Sequence, residues 1–304
     1  MQFTYGLPLM AHPQNPDYLT ARAIATLAKA AEDAGFASVS LTEHPIPFDP
    51  WLATGGHDAL DPFVGLAFAA AATDRIRLQT NLTPLPYRNP ALLAKTVATL
   101  DRLSGGRVVL GVGTGYLAEE FAALGVEFEE RNALFDESID VMRMIWTGES
   151  VTYKGLHFDI DRCTAHPTPV QKEIPIWIGG NSALSRRRVA EKAQAWMPMP
   201  NPRAMAGRRR SAHLETRDDL KAMLEHMRSH AESVGRSAPI DVSFMLLSGG
   251  AAGTADFNPE QILNEAGELA ELGITYLSGP VRGDSIAEIS DNLAKFGAEV
   301  IARA

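Results

Sequence analysis

"DPFVGLAFAAAATDRIRLQTNLTPLPYRNPALLAKTVATLDRLSGGRVVLGVG", residues 61–113, contains two apolar runs of strand length, each preceded by a segment with helix start signals. Asp61-Pro62 and Asn89-Pro90 each combine a side chain able to cap free backbone amides with a proline, which suits the first helical turn. The two strand runs are IRLQT at 76–80 and RVVLGV at 107–112. Helix, strand, helix and strand in this order predict parallel strands joined by crossover helices.

The same alternation continues in both directions along the chain. The eight predicted strands are FTYGL (3–7), SVSL (38–41), IRLQT (76–80), RVVLGV (107–112), IPIWI (174–178), AWMPM (195–199), DVSFML (241–246) and ITYL (274–277). Eight such units in 304 residues fit a (β/α)8 TIM barrel better than a doubly wound sheet. No shift in composition marks a boundary, so we predict an α/β fold with one barrel domain over residues 1–304.

Two segments are too long to be simple connections. The first, 148–173, lies between the fourth and fifth βα units, and its "SVTYKGLHFDI" alternates around Lys154-Gly155 like a hairpin. The second, 198–213, is rich in proline and arginine. We expect both to form lids or walls of a site.

Composition excludes several functional classes. The net charge of −9 and the pI near 5.4 argue against nucleic-acid binding, although Arg208, Arg209 and Arg210 could contact an anion. The single cysteine, Cys163, permits no disulfide within the chain and suits a reducing compartment. Residues 66–72 are too short an apolar run to span a bilayer. We therefore expect a cytoplasmic protein that binds neither nucleic acid nor membrane.

In a TIM barrel the active site lies where the strands end, so the polar residues after each apolar run are the candidates. The second run ends in "SVSLTEHPIP", which places Glu43 and His44 at this edge. Alternation along the strand predicts that His44 points inward for proton transfer, whereas Glu43 pairs with a neighbouring helix. The alternative for His44 is a hydrogen-bonded wall residue. The other histidines, His57 among them, are assigned surface or packing roles.

The remaining strand ends favour binding of a cofactor. No lysine follows a predicted strand, and no HxH, HExxH or GxSxG motif occurs, which leaves Schiff-base, zinc and serine-hydrolase chemistry without support. "GVGTGY" (111–116) lacks the third glycine of a dinucleotide fingerprint, so its glycines either admit a planar ring or only form a turn. In "WIGGNSALSRRR" (177–188), a strand leads through glycines into a helix start. This pattern suits the binding of a phosphate group at the helix start. The alternative is an ordinary glycine turn followed by a helix that Ser182 caps.

Residues 61–125, together with "IPIWIGGNS", resemble the bacterial luciferase-like superfamily, in particular its coenzyme F420-dependent oxidoreductase branch. The resemblance implies a TIM barrel, usually a homodimer, with deazaflavin in the barrel mouth. It also implies that His44 is the acid/base or orienting histidine, and that Asn81-Leu82 is a non-proline cis peptide supporting the ring. The remaining cofactor-binding positions that it implies are Thr80, Gly113, Thr114, Gly115, Gly179, Gly180, Asn181 and Ser182.

One position departs from the branch that the sequence resembles. Sugar-phosphate dehydrogenases of this branch carry a glutamate directly after the GTG, where this chain has Tyr116. Glucose-6-phosphate activity is therefore in doubt, and the Tyr116 phenol either bonds a substrate carbonyl or lines the pocket. Arg88 or Arg186 could meet the acidic tail of the cofactor.

The leading hypothesis is an F420-dependent enzyme that transfers a hydride between deazaflavin and a small, fairly apolar carbonyl, alcohol or activated alkene. One alternative is a two-component FMN-dependent monooxygenase supplied by a cofactor reductase. Another is a non-catalytic protein that binds flavin or F420. All three use the same barrel mouth, and the sequence does not separate them.

Overall fold

A computed structural model describes residues 1–207 and 210–304, and its centre is a closed barrel of parallel strands. Its strands are β1 (Gln2–Gly6), β2 (Ser38–Leu41), β3 (Arg77–Thr80), β4 (Thr83–Pro84), β5 (Val108–Gly113), β6 (Val151–Lys154), β7 (Asp159–Cys163), β8 (Ile176–Gly179), β9 (Ala195–Met197), β10 (Asp241–Met245) and β11 (Tyr276–Ser278). The order β3-β2-β1-β11-β10-β9-β8-β5 closes through a β3–β5 pairing, and the short β4 continues β3 along β5. The predicted TIM barrel and its eight strands are confirmed.

Helices surround the barrel and follow its strands. They are α1 (Ala21–Asp33), α2 (Asp49–Leu52), α3 (Pro62–Ala72), α4 (Pro90–Leu103), α5 (Ala118–Ala123), α6 (Arg131–Trp146), α7 (Ala183–Lys192), α8 (Arg203–Ala206), α9 (Arg217–Ser233), α10 (Pro259–Glu271) and α11 (Ile286–Glu299). Asp61 caps α3 by accepting from the N–H groups of its first turn, and Asn89 caps α4 in the same way. Both predicted helix starts are confirmed.

The two faces of the barrel sheet differ in composition. Outward residues such as Phe3, Val39 and Leu78 pack against the helices in the main apolar core. The interior instead carries a polar chain, in which the Thr4 and Ser38 hydroxyls lie 2.7 Å apart and Ser38 donates to Gln79 Oε1 at 3.1 Å. A second apolar cluster lies beside this polar chain and includes Val109, Trp177, Met197 and Tyr276.

The first long segment, residues 148–173, contains the predicted hairpin, since β6 and β7 pair antiparallel. Its later part packs on α4, where Arg102 donates to the Thr168 carbonyl at 2.7 Å and Asp101 accepts from the Val170 N–H at 2.7 Å, at the amino ends of the strands. Its hairpin tip instead reaches the start of α6, where His157 Nε2 lies 3.1 Å from Oε2 of Glu130. That the segment forms a lid or wall of the site stays a prediction.

The second long segment, residues 198–213, follows β9 and so starts at the carboxyl ends of the strands, and its role as a lid or wall of the site stays a prediction. The N–H and carbonyl groups of Asn201 and Leu214 pair across its base at 2.9 Å. Arg210 lies over the Phe128 ring at 4.5 Å, whereas Arg208 and Arg209 lie outside the described residues. In the described ranges, no helix has the length and apolar character needed to cross a membrane.

Candidate functional site

His44 lies directly after β2, and a buried carboxylate holds its ring. Its Nδ1 is 3.1 Å from Oε2 of Glu120, which lies on α5 and is fully buried. The His44 side chain is 9% exposed, and its Nε2 has no hydrogen-bond partner among the described residues. Because Glu120 already accepts from the Tyr87 hydroxyl and the Ile46 N–H, its oxygen acts as an acceptor toward His44 as well, so that Nδ1 donates and Nε2 is left for a group in the mouth.

Glu120 has two further donors. The Tyr87 hydroxyl donates to its Oε2 at 2.9 Å, and the Ile46 N–H donates to its Oε1 at 3.4 Å. Burial, and then the charge of Glu120, raise the pKa of Tyr87 far above its ordinary value, so Tyr87 remains a phenol and a donor. Three donors converge on one buried carboxylate, which fixes the direction of the His44 ring.

Aromatic rings lie around the His44 imidazole. The Trp51 ring centre lies 4.5 Å from that of His44, the His57 ring 5.0 Å away and the Tyr116 ring 6.1 Å away. Burial lowers the pKa of His57 and the nearby His44 lowers it further, although the Asp58 carbonyl opposes the shift. His57 thus packs against the Trp51 and His44 rings, which agrees with the packing role assigned to it and adds it to the same wall as Tyr116.

Leu82 projects into the barrel between two glycines. The Asn81-Leu82 peptide is cis, as the resemblance implied. A Cβ on Gly113 would lie 2.6 Å from one Leu82 methyl, and a Cβ on Gly179 would lie 2.4 Å from the other. These glycines were predicted to line a ring and a phosphate, but here they make room for Leu82. Any planar ligand in the mouth would therefore meet the Leu82 side chain.

The neighbouring candidates differ in accessibility. Thr80 is buried and donates its hydroxyl to the Gly111 carbonyl at 2.7 Å, so that hydroxyl is already used inside the barrel. Asn81 is exposed and Thr114 half-buried. A Cβ on Gly115 would lie 2.8 Å from the Phe121 ring, so this glycine packs against α5 instead of forming a free wall. Asn81 and Thr114 remain accessible from the mouth.

The turn 179–182 joins β8 to α7. Gly180 has a φ of +97°, which favours glycine, and Ser182 caps the helix by accepting from the Ser185 N–H at 3.0 Å. The first-turn N–H groups of Ala183 and Leu184 have no hydrogen-bond partner among the described residues. A helix start with free amides at the mouth suits an anionic group.

Asn181 has a different role from the predicted one. Its side-chain nitrogen donates to the carbonyls of Met199 at 2.7 Å and Ala212 at 3.1 Å, and its oxygen accepts from the Met199 N–H at 3.0 Å. The Asn181 N–H also donates to the Ser211 hydroxyl at 3.2 Å. Asn181 therefore anchors the 198–213 segment beside the turn, and its amide groups are not free to bind a phosphate.

The two arginines considered for an acidic tail are engaged within the protein. Arg88 bonds Glu43 at 2.7 Å and Asp61 at 2.6 Å, which also confirms that Glu43 pairs outside the barrel. Arg186 is buried and donates to the Asn181 carbonyl at 2.7 Å, which supports the turn from behind. Both guanidinium groups considered for the acidic tail thus already bond groups of the protein itself.

Sequence reasoning missed Glu120, Tyr87 and Trp51. For Glu120 a signal existed, because Leu117, Phe121 and Leu124 form an apolar stripe at helical spacing and Glu120 lies within it. A carboxylate on the apolar side of a short helix indicates a buried partner. Trp51 and Tyr87 follow from no comparable pattern, since Trp51 lies on the four-residue α2 and Tyr87 ends a single 3-10 turn before α4, and both depend on the packed barrel for their position.

This architecture places the chain among TIM-barrel proteins, whose active sites lie at this end of the strands. A family model described as luciferase-like monooxygenase matches residues 1–256, and the chain belongs to this family of oxidoreductases.

Several known proteins are similar to this chain. An uncharacterized protein of Mycobacterium bovis is 32% identical over 235 residues, which cover 73% of this chain and 76% of that protein. An F420-dependent glucose-6-phosphate dehydrogenase of Nakamurella multipartita is 34% identical over 218 residues, which cover 70% of this chain and 59% of that protein.

Solved structures share the fold. A monooxygenase from Streptomyces bottropensis superposes with a TM-score of 0.81 at 21% identity, covering 100% of this chain and 99% of the other. An F420-dependent secondary alcohol dehydrogenase, solved with an F420-acetone adduct, gives a TM-score of 0.77 at 18% identity, with 100% and 99% covered.

Proposed function

We propose that this chain is an F420-dependent oxidoreductase, which transfers a hydride between deazaflavin and a small, fairly apolar carbonyl, alcohol or activated alkene. The observation that carries the proposal is the His44–Glu120 contact at 3.1 Å, which leaves Nε2 of His44 available at the barrel mouth. The F420 dependence of relatives about one third identical to this chain supports the choice of cofactor.

The residues at the mouth fit a planar cofactor with a phosphate. Leu82 presents an apolar surface between Gly113 and Gly179. Asn81 and Thr114 would contact the ring system, and the free amides of Ala183 and Leu184 beside Ser182 would hold the phosphate. When bound, the deazaflavin supplies a carbon centre that accepts or donates a hydride.

The role of His44 is to exchange the proton that accompanies the hydride. For alcohol oxidation, Nε2 takes the hydroxyl proton as the carbonyl forms, and the ionised Glu120 stabilises the resulting imidazolium through Nδ1. For reduction the same proton returns to the substrate oxygen or carbon. Tyr116, on the same aromatic wall, would donate to the substrate carbonyl.

The rim of the mouth supports an apolar substrate. Four large apolar side chains that follow barrel strands are exposed there, namely Met10, Ile46, Met199 and Met245. Flexible methionine side chains adapt to apolar ligands of varied shape. The rim therefore suits a molecule with a hydrocarbon body and one reactive polar group.

A homodimer is also proposed, on the basis of an apolar surface on α3 and α4. α3 contains no charged residue, and its Val64 is 61% exposed. Phe68 on α3 and Leu92 on α4 are exposed as well. Helices that are apolar on their outer face are typical of subunit contacts, and a second copy of the chain would cover this surface.

Paired titrations with F420 and with FMN, followed by fluorescence and absorbance, test the choice of cofactor. Binding of F420 at low concentration with no binding of FMN is the expected result. Binding of FMN alone would contradict the proposal and favour the monooxygenase with its partner reductase. Firm F420 binding without turnover of any carbonyl, alcohol or alkene tested would favour a non-catalytic binding protein.

A further inference from the structure

A cavity separate from the His44 site lies at the carboxyl ends of β10 and β11. Its volume is about 440 Å³, and its lining includes Ser248, Gly249, Gly250, Thr254, Asp256 and Arg282. β1 lies between β11 and β2 in the barrel, so this cavity opens at the same end as the His44 site but on the opposite side of the β1 loop. We call it the β10–β11 alcove.

The floor of the alcove presents free backbone donors. Gly249 and Gly250 have φ values of +82° and +63°, and their N–H groups have no hydrogen-bond partner in residues 1–207 and 210–304. A Cβ on Gly249 would lie 2.4 Å from Ile262, and one on Gly250 would lie 2.6 Å from the Asp256 carbonyl oxygen. Consecutive amides in this conformation form a concave group of donors that suits an anion.

A guanidinium completes the donor set. Arg282 follows β11 and is exposed, and its side chain makes no hydrogen bond or ion pair with any described residue. By contrast Arg88, Arg107, Arg186 and Arg188 are all engaged by described groups. Arginine binds carboxylates and phosphates through a planar fork of donors, so Arg282 is suited to an oxyanion.

One carboxylate in the alcove limits the charge that it accepts. Asp256 accepts from the Thr254 hydroxyl at 2.5 Å. That bond, and to a smaller degree the charge of Arg282, lower the pKa of Asp256, which is therefore ionised at neutral pH. The charge of Asp256 repels a bound anion, and it repels a dianion about twice as strongly as a monoanion.

An apolar surface adjoins the alcove. Met245 ends β10, and Leu247 is 58% exposed on the way to Gly249. A ligand whose charged end lies on Arg282 would thus place a hydrocarbon body on Met245 and Leu247, at the rim of the mouth.

We propose that the β10–β11 alcove binds the carboxylate of the substrate, which makes the substrate an apolar carboxylic acid. This assignment of substrate class rests on the proposed function, whereas the binding site itself can be tested without any cofactor. A carboxylate is preferred over a phosphate because of Asp256.

Isothermal titration with octanoate, octanol and octyl phosphate tests the alcove. Wild type should bind octanoate, and Arg282→Gln should weaken this binding about tenfold or more, as expected for loss of a charge-assisted contact. Octanol should bind more weakly than octanoate and should respond little to Arg282→Gln. Asp256→Asn should tighten octanoate binding, because it removes a repulsive charge.

Arg303→Gln is the matched control, since Arg303 is an exposed arginine that pairs with Glu260 elsewhere on the surface. It should leave octanoate binding within twofold of wild type. Equal octanoate binding by wild type and Arg282→Gln would overturn the proposal, as would octanol binding as tightly as octanoate. Tighter binding of octyl phosphate than of octanoate would overturn the choice of a carboxylate.

The cofactor titrations separate this proposal from the proposed function. If wild type binds octanoate through Arg282 but neither F420 nor FMN, the alcove stands and the proposed function fails. If F420 binds equally to wild type and Arg282→Gln while octanoate does not bind at all, the alcove fails and the proposed function stands.

Discussion

Nδ1 of His44 lies 3.1 Å from Oε2 of Glu120, although 76 positions separate the two residues in the chain. One follows β2 and the other lies on α5, after β5, so the contact exists only when the barrel is closed. It gives the His44 imidazole a fixed tautomer and direction without occupying Nε2.

Glu120→Gln should slow turnover by about ten- to a hundredfold while leaving the fold intact. The amide can still accept from Tyr87 but no longer carries the charge that stabilises a protonated His44. The measurement is the pH profile of kcat/KM, which should differ in shape from that of wild type. Glu120→Asp should recover part of the rate.

Glu119→Gln is the matched control for that change, because Glu119 is the exposed neighbour on the same helix. It should leave both the rate and the pH profile unchanged. An unaltered pH profile in Glu120→Gln would refute the positioning role of Glu120, even if the rate fell.

Gly179→Ala should destabilise the protein by about 1–3 kcal/mol, because the new methyl group would overlap Leu82. Leu82→Ala in the same chain should remove most of this penalty, which a double-mutant cycle of urea unfolding would measure. Gly267→Ala on α10 is the control, since a Cβ there would meet nothing within 4 Å. Additive effects of the Gly179 and Leu82 changes would show that the two residues are not in contact.

His57 should make stability depend on pH. Burial lowers its pKa in the folded protein, whereas the unfolded chain titrates at about 6.5. Below that pH the unfolded chain binds a proton that the folded protein does not, so the free energy of unfolding falls as the pH falls. Above it, His57 contributes no pH dependence.

Urea unfolding between about pH 7.5 and 5.5 checks this prediction, with His57→Asn expected to show a shallower fall than wild type. His230→Asn, which changes a histidine paired with Glu191 on the surface of α9, should keep the wild-type slope. Equal slopes for wild type and His57→Asn would show that His57 does not cause the pH dependence of stability.

Phe68→Glu combined with Leu92→Glu should convert a dimer to a monomer, because two charges would be buried in an apolar contact. Sedimentation velocity over a range of concentrations measures this. Leu156→Glu changes another exposed leucine, 78% accessible in the β6–β7 turn, and should leave the dimer intact. A monomeric wild type would refute the proposed interface.

The sequence predicts the barrel well because local patterns encode it. The caps at Asp61 and Asn89 and the strand at 38–41 follow from residue types that act over a few positions. The hairpin in 148–173 also follows from a local pattern, whereas the contact of its tip with Glu130 depends on packing along α6.

The candidate site was less predictable. His44 and the turn at Gly180 are marked by their positions after strands, but their neighbours come from distant parts of the chain. The amide of Asn181 is used by Met199 and Ala212, and Arg88 by Glu43 and Asp61. Loop packing decides which donors remain free, and no short pattern in the sequence predicts that packing.

Turnover with each cofactor under controlled oxygen tests F420-dependent hydride transfer by this chain most directly. Purified protein is supplied with F420 and a panel of apolar alcohols, carbonyls and alkenes, while cofactor absorbance and oxygen uptake are recorded together. The expected result is a change in F420 redox state without oxygen uptake, and this change should be lost in His44→Ala. Oxygen uptake with reduced FMN, and no reaction with F420, would contradict F420-dependent hydride transfer.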